Sequence, residues 1–169
     1  ASKAAGEAAV QTIFGAGGRG LILRTSWVIG PVGRNFALTM LQLHRERDQL
    51  GVVADQVGCP TSTLNLAQAC WKTLQMADER ELPAVMHWSD AGAASWYDVA
   101  VAVGRIGAEL GLIDTPAEVQ PITTADYPTP AERPAYSLLD CTATRAALQL
   151  EGEYWQKALK NVLQQSKTL

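Results

Sequence analysis

The sequence lacks the features that mark nucleic-acid-binding and membrane proteins. Its 14 Lys+Arg against 17 Asp+Glu give a formal net charge of −3, and the basic residues form no block. A nucleic-acid surface needs clustered Lys and Arg to displace counterions. Apolar runs also stay well short of the roughly 20 residues that cross a bilayer. We therefore expect a soluble protein with no nucleic-acid or membrane partner.

Cysteine is scarce, and its spacing indicates neither a zinc site nor a disulfide framework. The three cysteines, Cys59, Cys70 and Cys141, are odd in number and show no C-x-x-C spacing. No charged-then-apolar leader opens the chain. The sequence therefore predicts a cytoplasmic protein without a metal site.

A glycine motif for phosphate binding is also missing. No G-x-G-x-x-G follows a predicted strand, and the glycine cluster "GAGGRG" comes after a predicted helix and before a predicted strand. A dinucleotide cradle needs the opposite order, strand, turn and helix. This cluster therefore predicts a surface loop.

Helical and strand patterns alternate along the chain, which is typical of an α/β protein. Hydrophobic residues make up 47% of the sequence, enough for a core. The strand "LILRTSWVIG" reads as continuous and buried on both faces, as in parallel sheets. The other predicted strands are "GVVADQ" and "AVMHWS". Helices are predicted at "KAAGEAAVQTIF", "NFALTMLQLHRERDQL", "CPTSTLNLAQACWKTLQMA", from Ser95 to Gly111, and at "CTATRAALQL" and "EYWQKALKNVLQQ".

Three helices carry finer predictions. Ser95 and Asp98 match a capping box, and Gly111 is a C-terminal stop. The helix after "CPTS" has an apolar stripe of Ala67, Cys70, Trp71, Leu74 and Ala77, with Ser and Thr as caps. The last helix places Trp155, Ala158, Leu159, Val162 and Leu163 on one face.

The stretch "VQPITTADYPTPAERPAYSLLD" follows neither the helical nor the strand pattern of hydrophobic residues. Its four prolines exclude a regular helix, and its mixture of Tyr, Thr and Arg is typical of an ordered binding loop.

Four blocks, "LILRTSWVIGPVGRNFALTMLQL", "VVADQVGCPTS", "SWYDVA" and "DYPTPAERPAYSLLD", occur in the order of one known family. Through them the chain resembles the dTDP-4-dehydrorhamnose reductases, which are extended short-chain dehydrogenases/reductases. The resemblance implies the C-terminal portion of a Rossmann-like α/β fold, with the N-terminal nucleotide-binding half absent. Residues 1–30 would be the last helix and strand of the Rossmann domain, and residues 31–169 the substrate-binding domain.

The family reduces the 4-keto group of dTDP-4-dehydro-L-rhamnose with NADPH or NADH, giving dTDP-L-rhamnose for cell-surface polysaccharide. Its acid is a tyrosine four residues before a lysine, so that tyrosine would fall two residues upstream of Ala1. The resemblance implies that Lys3 is the lysine, lowering the pKa of the phenol and holding the cofactor ribose. On this basis we expect a chain that is inactive alone. A solvated lysine on a helix is the alternative.

The resemblance also implies roles at the end of the strand that contains "RTSWV". Thr25 and Ser26 would lie beside the cofactor, and Trp27 would contact the substrate sugar. An ordinary core aromatic is the alternative for Trp27.

Three further residues are candidates for the dTDP moiety. Asn35 precedes a helix, where it could meet a diphosphate or simply cap the helix. Gln56 is a second candidate for the same ligand. Arg133 offers a guanidinium fork to phosphate oxygens, with a solvated loop arginine as the alternative.

The resemblance bears on assembly and on alternative functions as well. Without the main sheet the apolar strand "LILRTSWVI" would expose an edge, so we expect a homodimer, with swapped elements or compensating strand pairings as alternatives. Some relatives hold Mg²⁺ at a dimer contact, but "PTSTLNL" supplies no carboxylate, so we do not expect a metal bridge. Two alternatives stay open: a non-catalytic homologue of the regulatory subunit of methionine adenosyltransferase, or another nucleotide-sugar reductase or epimerase.

Overall fold

The computed structural model describes residues 2–16 and 20–166, and within them helices and strands alternate, which confirms the predicted α/β class. The predicted "GAGGRG" loop falls partly on residues 17–19, which lie outside the described residues. The helices are α1 (Ser2–Gly15), α2 (Phe36–Glu46), α3 (Thr63–Glu79), α4 (Trp96–Glu109), α5 (Thr142–Leu148) and α6 (Trp155–Ser166). The strands are β1 (Ile22–Thr25), β2 (Val28–Ile29), β3 (Gln49–Val53), β4 (Val57–Gly58), β5 (Thr61–Ser62), β6 (Val85–Trp88), β7 (Ala94–Ser95) and β8 (Glu118–Ile122).

The described strands form four pairs. Three pairs are parallel, β1 with β6, β2 with β5 and β3 with β8, and the pair of β4 with β7 is antiparallel. Parallel pairing requires crossover connections, which the intervening helices supply. The carboxyl ends of β1 and β6 meet at Thr25 and Trp88.

The prediction of one continuous strand at "LILRTSWVIG" is wrong. The strand is interrupted at Ser26 and Trp27, and Trp27 has a left-handed backbone with φ of 48°. At this break the chain leaves the β1–β6 pair and enters the β2–β5 pair. Arg24 and Thr25 are exposed, so β1 is not buried on both faces.

The main core lies between α2, α4, α6 and β3. Helix α4 begins at the predicted capping box, in which the Ser95 hydroxyl accepts from the Asp98 amide at 3.1 Å and the Asp98 carboxylate accepts from the Ser95 amide at 2.7 Å. Gly104 lets α2 approach α4 closely, because a Cβ there would lie 2.7 Å from the His44 ring. The predicted stripe of α6 is confirmed, with all five residues buried.

A second, smaller core lies between α3, β6 and α5, and it corrects the predicted stripe of α3. Trp71 and Leu74 are 66% and 63% exposed, whereas Ala69, Thr73 and Met76 are buried. Thr73 can be buried because its hydroxyl donates to the Ala69 carbonyl at 2.8 Å. The hydrophobic pattern therefore predicted the wrong face of α3 as the buried one. The predicted hydroxyl cap is confirmed at Ser62, which accepts from the Asn65 amide.

Two boundaries also differ from the prediction. Helix α2 ends at Glu46 and β3 already begins at Gln49, where the sequence pattern extended the helix to Leu50. Strand β8 occupies the start of the predicted loop in spite of Pro121. Proline is tolerated there because, among the described strands, β8 pairs only with β3 and so lies at an edge.

No helix in residues 2–16 and 20–166 is long and apolar enough to cross a membrane. Over the same residues, no cluster of three or more His, Cys, Asp or Glu side chains is arranged to hold a metal ion.

Candidate functional site

A cavity of about 570 Å³ lies beside β3, along α2, at the start of α4 and under the loop that follows β8. Two of its lining residues, Arg47 and Arg133, are cationic, and none of them is a carboxylate. Such a lining favours an anionic ligand. Its aromatic and polar walls include Phe36, Gln56, Trp96, Tyr127 and Thr129.

The loop over this cavity is held to the turn after β3 by a carboxylate. Asp55 accepts from the Thr124 hydroxyl at 2.6 Å and from the Thr124 amide at 2.9 Å. These hydrogen bonds lower the pKa of the Asp55 carboxyl, with the side-chain bond as the main cause. The Thr124 hydroxyl also accepts from the Gln56 amide at 3.1 Å. Gln56, only 8% exposed, is thereby oriented at the cavity.

The far end of the loop is held by backbone pairing to β4. The Val57 amide donates to the Ala135 carbonyl, and the Ser137 amide donates to the Val57 carbonyl, both at 2.8 Å. Arg133 lies two residues before this pairing, so its backbone is restrained on the side toward β4. Both ends of the loop that follows β8 are therefore anchored, and its role in binding stays a prediction.

Two stacked tryptophans connect the cavity with the end of β1. The Trp27 and Trp96 ring centroids are 3.6 Å apart with planes inclined by 10°. Phe36 packs against Trp96 at 4.6 Å with the planes inclined by 55°. Trp96 and Phe36 both line the cavity, so Trp27 adjoins it through Trp96.

Asn35 acts as the N-cap of α2. Its side-chain oxygen accepts from the Leu38 amide at 3.2 Å, and its amide group donates to the Gly30 carbonyl at 2.9 Å. The capping alternative therefore describes its contacts, since both ends of the side chain are engaged within the protein.

The candidates for the cofactor are Lys3 in α1 and the residues Thr25 and Ser26 at the carboxyl end of β1. Lys3 is exposed in the first turn of α1, and Thr25 is exposed at the carboxyl end of β1. The Ser26 hydroxyl donates to the Cys59 carbonyl at 3.4 Å. Helix α1 is held to β1 by Glu7, which accepts from the Arg24 guanidinium at 2.9 and 2.6 Å. Glu7 follows Lys3 by one helical turn, so this ion pair holds the face that carries Lys3 near β1.

A larger groove of about 1020 Å³ has a different character. It lies between β1 and α3, with Leu21, Leu23, Leu74 and Ala77 among its lining residues. Three acidic residues and one arginine also line it, namely Asp78, Glu79, Glu81 and Arg80. This excess of negative charge disfavours a diphosphate, so the cavity beside β3 is the better candidate for an anionic ligand.

A family model described as the RmlD substrate binding domain matches residues 1–168. The chain belongs to the RmlD substrate binding domain family. It is 40% identical over 163 residues to a dTDP-4-dehydrorhamnose reductase of Aggregatibacter actinomycetemcomitans, covering 95% of this chain and 54% of that protein. It is 34% identical to the Escherichia coli K12 protein of the same name, covering 96% of this chain and 54% of that protein.

A solved structure agrees with this assignment to the RmlD family. The dTDP-4-dehydrorhamnose reductase of Bacillus anthracis, in complex with NADP, has a TM-score of 0.74 and 30% identity over 84% of this chain and 47% of that chain. A UDP-glucose-4-epimerase of Stenotrophomonas maltophila, at 12% identity and a TM-score of 0.73, shares the fold alone. The chain spans about half the length of the curated relatives it matches.

Sequence reasoning missed part of the site of this RmlD family member. The sequence patterns single out none of four residues that line the cavity, namely Phe36, Arg47, Trp96 and Tyr127. An aromatic residue directly after an N-cap was the available signal. The first turn of a helix often faces loops rather than the core, and Trp96 follows the cap Ser95.

Proposed function

We propose that this chain forms the substrate-binding part of a dTDP-4-dehydrorhamnose reductase, which reduces the 4-keto group of dTDP-4-dehydro-L-rhamnose to give dTDP-L-rhamnose. The observation that carries the proposal is the carboxylate-free cavity in which Arg133, Gln56 and the aromatic side chains converge. The family and its relatives' names support the reaction.

The chemistry of the cavity fits a nucleoside diphosphate. A guanidinium offers two parallel N–H donors to phosphate oxygens, and Arg133 is available for this role on the loop. The Gln56 amide offers a further polar contact, and Phe36 and Trp96 offer apolar surface to a base or sugar. Asn35 remains a candidate for this ligand, although its amide is already used in the N-cap.

A nicotinamide cofactor, NADPH or NADH, would supply the hydride. Of this chain's residues, Lys3, Thr25 and Ser26 are the ones we propose to hold it. Thr25 fits the role, because it is exposed where the parallel strands β1 and β6 end, and open α/β sheets place ligands at that edge.

The developing alkoxide at C4 needs a proton. We propose that a tyrosine outside this chain donates it and that the Lys3 ammonium stabilises the phenolate left behind. An adjacent cation favours the charged form of a phenol, whose ordinary pKa is near 10. Lys3 is exposed in the first turn of α1, so its ammonium is accessible to such a partner.

Nucleotide titrations of this chain test the proposal. We expect dTDP to raise the melting temperature and to bind more tightly than UDP or GDP in calorimetry, because a ligand bound only by the folded state stabilises it. Arg133→Ala should weaken dTDP binding by roughly tenfold or more, the loss typical of a hydrogen bond to a charged group.

Arg80→Ala is the matched control, since Arg80 lines the other groove. It should leave dTDP binding unchanged. Equal or tighter binding of UDP or GDP would favour another nucleotide-sugar reductase or epimerase. Absence of binding by all three nucleotides would favour a non-catalytic homologue.

A further inference from the structure

The backbone at Trp27 is in a conformation that bulky residues rarely adopt. Its φ of 48° lies in the left-handed region, where a large side chain is an outlier. Such strain persists only when surrounding contacts hold it in place, and it concentrates at functional sites. One of these contacts is the hydrogen bond from the Thr61 amide to the Trp27 carbonyl at 3.1 Å.

A slot for the indole of Trp27 exists because position 58 has no side chain. A Cβ built on Gly58 would lie 2.7 Å from Cε2 and 2.8 Å from Cζ2 of Trp27, closer than real Cβ atoms approach. Gly58 is the last residue of β4, which pairs with β7 directly before Trp96. The slot therefore lies on one strand of this pair, and the stacking partner of Trp27 directly follows the other strand.

The stacking partner is itself restrained. Trp96 occupies the first position of α4, immediately after the N-cap of the capping box. Phe36, the first residue of α2, packs against its ring at 4.6 Å. The nearly parallel stack of Trp96 on Trp27, with centroids 3.6 Å apart, therefore joins the start of α4 to the strained turn after β1.

We propose that Trp96 is a positioning residue, which holds the Trp27 indole against Gly58 so that Trp27 is oriented for the sugar of the nucleotide-sugar before that ligand binds. This inference rests on the proposed function, in which Trp27 contacts the sugar. It assigns to Trp96 an action through Trp27, beyond its own place in the cavity wall. A preset side chain costs less ordering entropy on binding, so its orientation contributes to affinity for the sugar.

A double-mutant cycle separates this role from direct contact. In calorimetry on the full chain, Trp96→Leu should weaken dTDP-L-rhamnose binding by about tenfold, near the upper range for an aromatic pair. In a Trp27→Ala background the same change should have a clearly smaller effect, because the residue it acts through is gone and only the place of Trp96 in the cavity wall remains. Trp96→Phe should restore most of the affinity, since a smaller ring can still stack.

Two further measurements report on the stack of Trp27 and Trp96 without a substitution at Trp96. Gly58→Ala displaces the Trp27 indole from the side opposite Trp96. It should weaken the binding of dTDP-L-rhamnose more than the binding of dTDP, which lacks the rhamnose. Circular dichroism should show the exciton couplet of two stacked indoles in the unsubstituted chain and its loss in Trp27→Phe and Gly58→Ala. Trp71→Leu is the matched control, because Trp71 is 66% exposed on α3, and it should change neither affinity nor couplet.

Equal losses for Trp96→Leu with and without Trp27 would overturn the inference and show direct contact instead. An unchanged couplet in Gly58→Ala, or equal effects of that variant on dTDP and dTDP-L-rhamnose, would also overturn it. If the unsubstituted chain binds neither ligand, the proposed function fails and this inference fails with it. Normal binding without coupling between Trp27 and Trp96 contradicts the inference alone.

Discussion

At the scale of single residues, two aspartates show how partners and burial set opposite pKa shifts. Asp90, 1% exposed, accepts from the Ser62 amide and the Asn65 side chain, both at 2.9 Å. Burial nevertheless raises the pKa of its carboxyl. Asp55 is solvated, and its hydrogen bonds with Thr124 lower its pKa. Asp90 anchors the start of α3, whereas Asp55 anchors the loop over the cavity.

The lowered pKa of Asp55 predicts an acid-sensitive loop. Its contribution to the free energy of unfolding is fully present above the ordinary carboxyl pKa of 3.8 and is lost as the pH falls through the lower folded-state value. Thr124→Val removes the hydroxyl that is the largest cause of the lowered pKa and leaves the backbone hydrogen bond in place. Urea unfolding at a series of pH values should then show a smaller loss of stability in acid than the unsubstituted chain shows.

Thr129→Val is the control for that comparison. Thr129 lies in the same loop, and its hydroxyl donates to the Ala131 carbonyl at 2.8 Å rather than to a carboxylate. It should keep the acid dependence of the unsubstituted chain. If Thr124→Val also keeps the full acid dependence of stability, the hydrogen bond between Asp55 and the Thr124 hydroxyl does not cause it.

At the scale of secondary-structure elements, α3 shows that the most hydrophobic face of a helix need not be the buried one. Trp71 and Leu74 lie on the exposed side, and Met76 and Ala69 pack against β6 and α5. The buried face is composed of small or flexible residues, which allow a close approach to the sheet. The exposed face adjoins the groove beside β1.

A pair of alanine substitutions in α3 tests this assignment. Met76→Ala should lower the free energy of unfolding by about 2 kcal/mol or more, because it removes buried side-chain atoms and leaves a cavity. Leu74→Ala should change it by no more than about 0.5 kcal/mol, since Leu74 is 63% exposed. Urea unfolding at neutral pH measures both. The reverse order of the two losses would mean that the predicted stripe is the buried face.

At the scale of the whole molecule, two cores are joined where β1 passes into β2. The larger core carries the cavity, and the smaller one lies under the β1–β6 pair. Among the described strands, β1 pairs with β6 alone. One edge of β1 therefore has no strand partner in residues 2–16 and 20–166, and the larger groove lies beside the same strand.

We expect this chain to associate with a second copy of itself through that edge and the exposed face of α3. Unpaired strand edges and exposed apolar surface both favour self-association. Light scattering should give a mass above that of one chain, rising with concentration. Leu74→Lys should reduce the mass, and Gln75→Lys, at an exposed neighbouring position, should not. A mass of one chain at every concentration would contradict the expectation.

The sequence by itself determined the features that depend on neighbours along the chain. The capping box at Ser95 and Asp98 and the buried stripe of α6 follow from spacing alone, and the structure confirms both. The order of the four sequence blocks likewise indicated the family, which the comparisons show. These signals are local, so the chain carries them before it folds.

Only the tertiary structure decided which surfaces meet. Hydrogen bonds at Asp55 and Val57 place Arg133 and Gln56 at one cavity. The fold also stacks Trp27 on Trp96. It orients α3 so that the most apolar face of this helix is exposed. It also admitted Pro121 to an edge strand. The physical reason is that residue spacing shows which side chains share a face, whereas what covers that face depends on contacts between elements distant in sequence.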